Sequence, residues 1–124
     1  MNIQDIDKIE NYVIGAGVDS YNNQVSLSIN LNPNFTPDYL IVNYLQFKNN
    51  GSADNTIKAS LSLLSNDLIS FTTIDATLCN PIVHKLDTFT NGTYTISFND
   101  INNNLAIGLS GHIVFGLSLV KLKI

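Results

Sequence analysis

The stretch Gln24-Val25-Ser26-Leu27-Ser28-Ile29-Asn30-Leu31 decides the fold class. Val25, Leu27, Ile29 and Leu31 alternate with Gln24, Ser26, Ser28 and Asn30, the period of two that puts one face of a strand in a core and the other in water. Next, Asn32-Pro33-Asn34-Phe35-Thr36-Pro37-Asp38 interrupts the pattern. Two prolines and the residues before them resist both helix and ladder pairing, so a loop is expected. Tyr39 to Lys48 (YLIVNYLQFK) is aromatic and β-branched on both faces near its start, as in a central strand covered on both sides.

The same period continues downstream. Ile57, Ala59, Leu61 and Leu63 alternate with Lys58, Ser60 and Ser62, and Leu68-Ile69-Ser70-Phe71 resumes after Ser65-Asn66-Asp67. Thr72 to Asn80 reads as irregular. Ile82, His84 and Leu86 oppose Val83, Lys85 and Asp87, and Tyr94, Ile96 and Phe98 alternate with Thr93, Thr95 and Ser97. Asn91-Gly92 between them predicts a hairpin turn. The last segment divides at Ser110-Gly111 into Leu105 to Leu109 and a long strand, His112 to Lys123. The expected fold is all-β, an antiparallel β-sandwich of about eight strands, with jelly-roll and immunoglobulin-like strand orders both open on the residues alone. Met1 to Tyr12 departs from the period. Ile3, Ile6 and Ile9 give either one short helical stripe or an extended arm, ahead of a single sandwich domain over 13–124.

The chain has 124 residues and a mass of 13.6 kDa, the size of one domain able to bury a core without disulfide or metal staples. Six Lys and no Arg face nine Asp and one Glu, for a net charge of -4. Nucleic acid is not an expected partner, because phosphate contacts come chiefly from Lys and Arg. Asn, with 18 copies, takes the place of charge and favours turns and strand edges. The single cysteine, Cys79, excludes an intramolecular disulfide and reads as an inert thiol. Met1 to Glu10 lacks the positive region and apolar run of a signal peptide, so synthesis in the cytoplasm is expected and the sequons at Asn34, Asn50 and Asn91 are discounted. Leu105 to Val120 is nearly uncharged but too short and too glycine-rich for a spanning helix, so no membrane span is expected.

Catalysis has few candidates. His84 and His112 are the only side chains that ordinarily titrate near neutrality, and each sits in a strand pattern without a nucleophile elbow, P-loop or HExxH spacing. Both read as structural or surface histidines; no catalytic, cofactor or metal residue is expected. Asp100-Ile101-Asn102-Asn103-Asn104 starts like a calcium loop, then fails where Leu105 replaces glycine and Gly111 replaces the closing Glu. Gly15-Ala16-Gly17 lacks the third glycine of a dinucleotide fingerprint. Exposed tyrosines and asparagines keep a lectin-like or receptor-binding module with a loop-borne site as the alternative function, although no Trp is present.

The succession from Pro37-Asp38-Tyr39-Leu40-Ile41-Val42-Asn43-Tyr44-Leu45-Gln46-Phe47, through Ser65 to Phe71, Asn80 to Leu86 and Tyr94 to Phe98, to Gly111-His112-Ile113-Val114-Phe115-Gly116-Leu117-Ser118-Leu119-Val120-Lys121 resembles the small single-jelly-roll structural proteins of large double-stranded DNA viruses and virophages. The resemblance spans about Pro37 to Lys123 and consists of hydrophobic patterns with loop punctuation. It implies a jelly roll, a non-enzymatic role as a minor capsid, penton or spike component, location in the virion, and homo-oligomeric or heteromeric capsid partners. The interface candidates are Ile3, Ile6 and Ile9 in the N-terminal segment and Val114, Val120 and Leu122 in the last strand, with loops Asn32 to Asp38, Asn49 to Asp54 and Asn99 to Asn104 making outer or lateral contacts.

Overall fold

The computed structural model describes residues 5–19, 22–49, 56–72, 76–78, 80–104 and 109–123. It is an all-β sandwich of two antiparallel sheets. The strands are β1 (Ile6–Asp19), β2 (Gln24–Ile29), β3 (Tyr39–Asn49), β4 (Thr56–Leu61), β5 (Asp67–Thr72), the two-residue β6 (Ala76–Thr77), β7 (Ile82–Lys85), β8 (Gly92–Asn99) and β9 (Ser110–Leu122). One sheet runs β1-β9-β3, with β6 and β7 both pairing the far edge of β3; the other runs β2-β8-β4-β5.

Four of the pairings are nested about the turn that joins β4 to β5. Ala59 meets Ile69, Tyr39 meets Lys85, Val25 meets Ile96 and Ile6 meets Leu122, so the two halves of the chain lie antiparallel along most of their length. The long hairpin then rolls up, β3 closing against β9 and β4 against β8. Rolling buries the alternate apolar residues of both sheets between them. The core includes Leu27, Ile29, Leu40, Val42, Leu45, Ile57, Leu61, Ile96, Ile113, Leu117 and Leu119. A run of aromatic rings crosses it: Phe47 to Phe71 at 5.1 Å, Phe71 to Phe98 at 6.4 Å, and Phe98 stacked on Phe115 at 6.0 Å.

Several sequence expectations are corrected here. Of the helical stripe and the extended arm, Ile6 to Tyr12 is extended, but it belongs to the sheet: it is the first half of β1, continuous with Val13 to Asp19 and paired with β9 apart from the bulge at Asp7. The register shifts between Ile6 and Lys8, and this bulge explains the helix-like spacing. Ile6 and Ile9, three apart, oppose Leu122 and Val120, two apart, which keeps both isoleucines on one face of a strand. The hairpin expected at Asn91-Gly92 is also absent, because β7 belongs to one sheet and β8 to the other. Asn91 instead extends the β2-β8 ladder with its side chain: Oδ1 accepts the Leu31 amide at 2.8 Å and Nδ2 donates to the Leu31 carbonyl at 2.9 Å. The segment read as irregular contains β6. The strand expected at Leu105 to Leu109 falls mostly outside the described residues.

The proline loop after β2 is closed by its own polar groups. Asn32 accepts the Phe35 amide through its carbonyl and the Asn34 amide through Oδ1, and Phe35 and Pro37 are buried. Asp38 then fastens the start of β3 to both neighbours. Its amide donates to Val120, its carbonyl accepts from Leu86, and its carboxylate accepts the Leu122 amide at 2.9 Å. Of the loop expected to make outer contacts, only Asn32, Pro33, Asn34 and Thr36 are exposed.

Candidate assembly face

The two outer faces of the sandwich have opposite chemistry. On the β2-β8-β4-β5 sheet the register aligns Ser28 with Thr93, Ser26 with Thr95, and Gln24 with Ser97, Ser60 and Asp67. This face is a field of hydroxyls and amides. Ser28 and Thr93 hydroxyls lie 3.2 Å apart, and Lys58 and Asp67 form a loose ion pair at 3.7 Å, which at such exposure contributes little. Water satisfies a surface of this kind.

The outer face of β1-β9-β3-β7 differs. Directly opposed residues of an antiparallel pair share a face, so its rows read Ile9–Val120–Tyr39–Lys85, Asn11–Ser118–Ile41–Val83, Val13–Gly116–Tyr44 and Gly15–Val114–Gln46. A register shift between Val42 and Tyr44 brings Tyr44 onto this face. Among the described residues five large hydrophobic side chains are exposed: Ile9 at 49%, Val13 at 80%, Tyr44 at 43%, Val83 at 49% and Ile101 at 61%. The first four all lie here, on three different strands. Ile101 alone is on a loop. Lys48, Lys85 and His112 stand at the margins and Asn11, Asn43 and Gln46 are exposed between them, so the face mixes exposed apolar side chains, most of them on the outer strands, with amides.

One polar chain crosses the centre. The Ser118 hydroxyl donates to Asn11 Oδ1 at 2.6 Å and accepts from Asn43 Nδ2, linking β1, β9 and β3. Ser118 is the one buried polar residue among those described, and both of its hydrogen-bonding directions are satisfied inside the sheet. The apolar face therefore carries no unpaired buried group at its middle.

The sequence-derived interface residues divide. Ile9 is exposed on this face, and Val114 is half-buried on it. Ile6 and Leu122 are half-buried opposite each other at its end. Val120 is fully buried between Ile9 and Tyr39 without joining the central core, so it offers no surface to a partner and serves the monomer. Ile3 lies outside the described residues. Val13, Tyr44 and Val83 were missed; the signal available was the alternation of Val13, Gly15 and Gly17 with Tyr12, Ile14, Ala16 and Val18, a strand with a small-residue face.

The other candidates sit elsewhere. His84 is half-buried, and its Nε2 is 2.8 Å from the Leu68 carbonyl, which ties β7 of one sheet to β5 of the other. It lines a groove of about 420 Å³ with Leu63, Leu64, Ser65, Asn66 and Asp87. No described tyrosine lines that groove. Tyr94 is held at Thr90, and Tyr44 donates to Gln46 at 2.8 Å. His112 is exposed on the apolar sheet's rim, 28 residues along the chain from His84 and not paired with it. Asp100 Oδ1 accepts the amides of Asn102 and Asn104 at 2.8 and 2.9 Å, and Asn103 takes a left-handed conformation at φ 64°, so the calcium-like run closes its own loop. Cys79 lies outside the described residues. Among the described residues no cluster of three metal-ligating side chains occurs, and no helix is long and apolar enough to cross a membrane. No protein-family model and no curated protein matches this chain.

Proposed function

We propose that the chain is a non-enzymatic structural protein of a virus particle, a minor capsid, penton or spike component, that works by assembly with copies of itself or with other shell proteins. The observation that carries the reading is the one-sided placement of the exposed apolar side chains: Ile9, Val13, Tyr44 and Val83 on one sheet, hydroxyls on the other. A sandwich with this polarity has one face suited to burial against protein and one suited to water.

Strand order supports the finer fold reading. A hairpin running most of the chain's length and rolled so that β1-β9-β3-β7 faces β2-β8-β4-β5 fits the eight-stranded jelly roll with its two Greek keys, and fits less well an immunoglobulin-like order. The virion role itself rests on the resemblance of the sequence pattern to small viral jelly-roll proteins. Co-fractionation tests it. Particles purified from infected cells and disrupted are predicted to yield this chain in fixed proportion to the major shell protein. Recovery only from the soluble fraction, with none in intact particles, would contradict the reading.

A further inference from the structure

Of the four sheet edges, that of β1 is the least protected. β1 has 14 residues, against six in β2, six in β5 and four in β7, and among the described residues no strand pairs with the outer side of Ile6 to Val18. Natural sheets guard such edges with proline, charge, bulges or shortness. Here the bulge and the charges Asp7 and Lys8 guard only the first turnings of the strand. From Ile9 to Val18 there is no proline and a single charge, Glu10. That row of open N–H and C=O groups is long enough to template another strand.

We infer that the occupant is β1 of a second copy, paired antiparallel about a two-fold axis at Asn11. The inference rests on the assembly reading and adds its partner and register. A strand pairing with its own copy makes every contact twice, so its residues must be self-complementary. Centring on Glu10 sets two carboxylates against each other, centring on Val13 opposes Asp7 with Asp19, and centring on Ile9 leaves the apolar Val13 facing Asp5. Centring on Asn11 opposes Ile9 with Val13 on both sides of the axis. It also sets Glu10 across from Tyr12 and Lys8 across from Ile14, with no like-charge pair anywhere in the overlap. Ile9 and Val13 are the two exposed apolar residues of this strand, 49% and 80% accessible in the single chain. Val13 stands beside Gly116, which has no side chain to cover it. Because the opposed residues share a face, the two apolar outer faces join on the same side, giving one continuous face twice as wide.

Disulfide trapping in a Cys79→Ser background reads the register. One chain carries Ile9→Cys and another Val13→Cys, both exposed positions that the fold tolerates, as matched melting curves will verify. In this register Ile9 lies four residues from its own copy, about 13 Å at roughly 3.3 Å per residue, beyond the ~7 Å Cα separation a disulfide spans. Under mild oxidation the mixture is expected to give covalent dimer and each chain alone to give none. Dimer from either chain alone would overturn the register. A mixture that has dimer mass in solution yet fails to crosslink would overturn the edge pairing while leaving assembly standing. A mixture that stays monomeric at every concentration would overturn the edge pairing and self-assembly together, and leave only assembly with other shell proteins.

Discussion

Replacing Gly111 by alanine is expected to destabilise the fold by about 2–3 kcal/mol, a penalty larger than its single methyl suggests. A Cβ at Gly111 would lie 2.5 Å from the Lys48 carbonyl oxygen and 2.5 Å from Phe47 Cζ. Carbon atoms in good contact sit about 3.5–4.0 Å apart, so something must move by about 1 Å. Phe47 has nowhere to go. It is 1% exposed and packed on Phe71 at 5.1 Å, and that ring continues the aromatic run to Phe98 and Phe115. The Lys48 carbonyl is part of β3, so relief requires β3 and β9 to part at Asn49 and Gly111. Overpacking of this kind costs roughly 1–3 kcal/mol and a weakened ladder bond adds about 1. The smaller entropy of an unfolded alanine returns about 0.4–1 kcal/mol. For a chain of this length the net corresponds to a fall in melting temperature of about 10 °C. Gly15 is the matched control on the neighbouring strand, because its nearest neighbours to an added Cβ are at 3.8 Å, ordinary contact. Gly15→Ala should be neutral or slightly stabilising. Urea unfolding followed by circular dichroism measures both, provided the slope with denaturant stays constant. A Gly111→Ala variant within about 0.5 kcal/mol of the parent would refute the packing argument, as that is the ordinary effect of a surface change.

Three further outcomes follow from named contacts. Asn91→Ala removes both hydrogen bonds to the Leu31 backbone and should lower stability by about 2 kcal/mol in urea, with Asn91→Asp, which keeps the acceptor, losing less. Ser118→Ala should lose only about 1 kcal/mol, since Asn11 and Asn43 are exposed and water replaces the hydroxyl; a loss several-fold larger would mean the bridge is sealed from solvent. Burial, and then the nearby Glu10 carboxylate, raise the Tyr12 phenol above its ordinary 10.0. The folded state therefore holds that proton more tightly than the unfolded one. Its contribution is complete below pH 10.0 and is lost as pH rises through the raised folded value, and Tyr12→Phe should flatten that alkaline decline in a stability titration.

The strands that were legible in the sequence are those with clean alternation. Gln24 to Leu31 and Tyr94 to Phe98 each bury one face against the other sheet and turn their hydroxyls to the opposite face, so the period of two survives intact. Legibility failed where the phase breaks. The shift at Asp7 gives β1 a spacing of three between isoleucines, and the shift between Val42 and Tyr44 changes the phase of β3 partway, so that Leu40 and Val42 share the core face with Leu45 and Phe47, while the central position read from its start holds. Asn91-Gly92 misled for another reason: turn chemistry is local, whereas which sheet each flanking strand joins is decided by the nested long-range pairing. The apolar outer face was half visible. Long runs such as Ile113 to Leu122 signalled burial on both sides, but only the sheet neighbours reveal that Ser118 and Val120 are covered within the monomer while Val13, Tyr44 and Val83 are left uncovered.

The most direct test of the assembly account is the mass of the chain in solution by sedimentation equilibrium across a dilution series, for the parent and for a Tyr44→Lys/Val83→Lys pair on the apolar face. A matched Ser26→Lys/Thr95→Lys pair on the hydroxyl face is the control. The account predicts a parent mass that is a multiple of 13.6 kDa, lowered by the first pair no further than the dimer joined through β1, and unmoved by the second. A parent that stays at 13.6 kDa at every concentration would contradict assembly with copies of itself, and the same shift from both pairs would contradict the role of the apolar face.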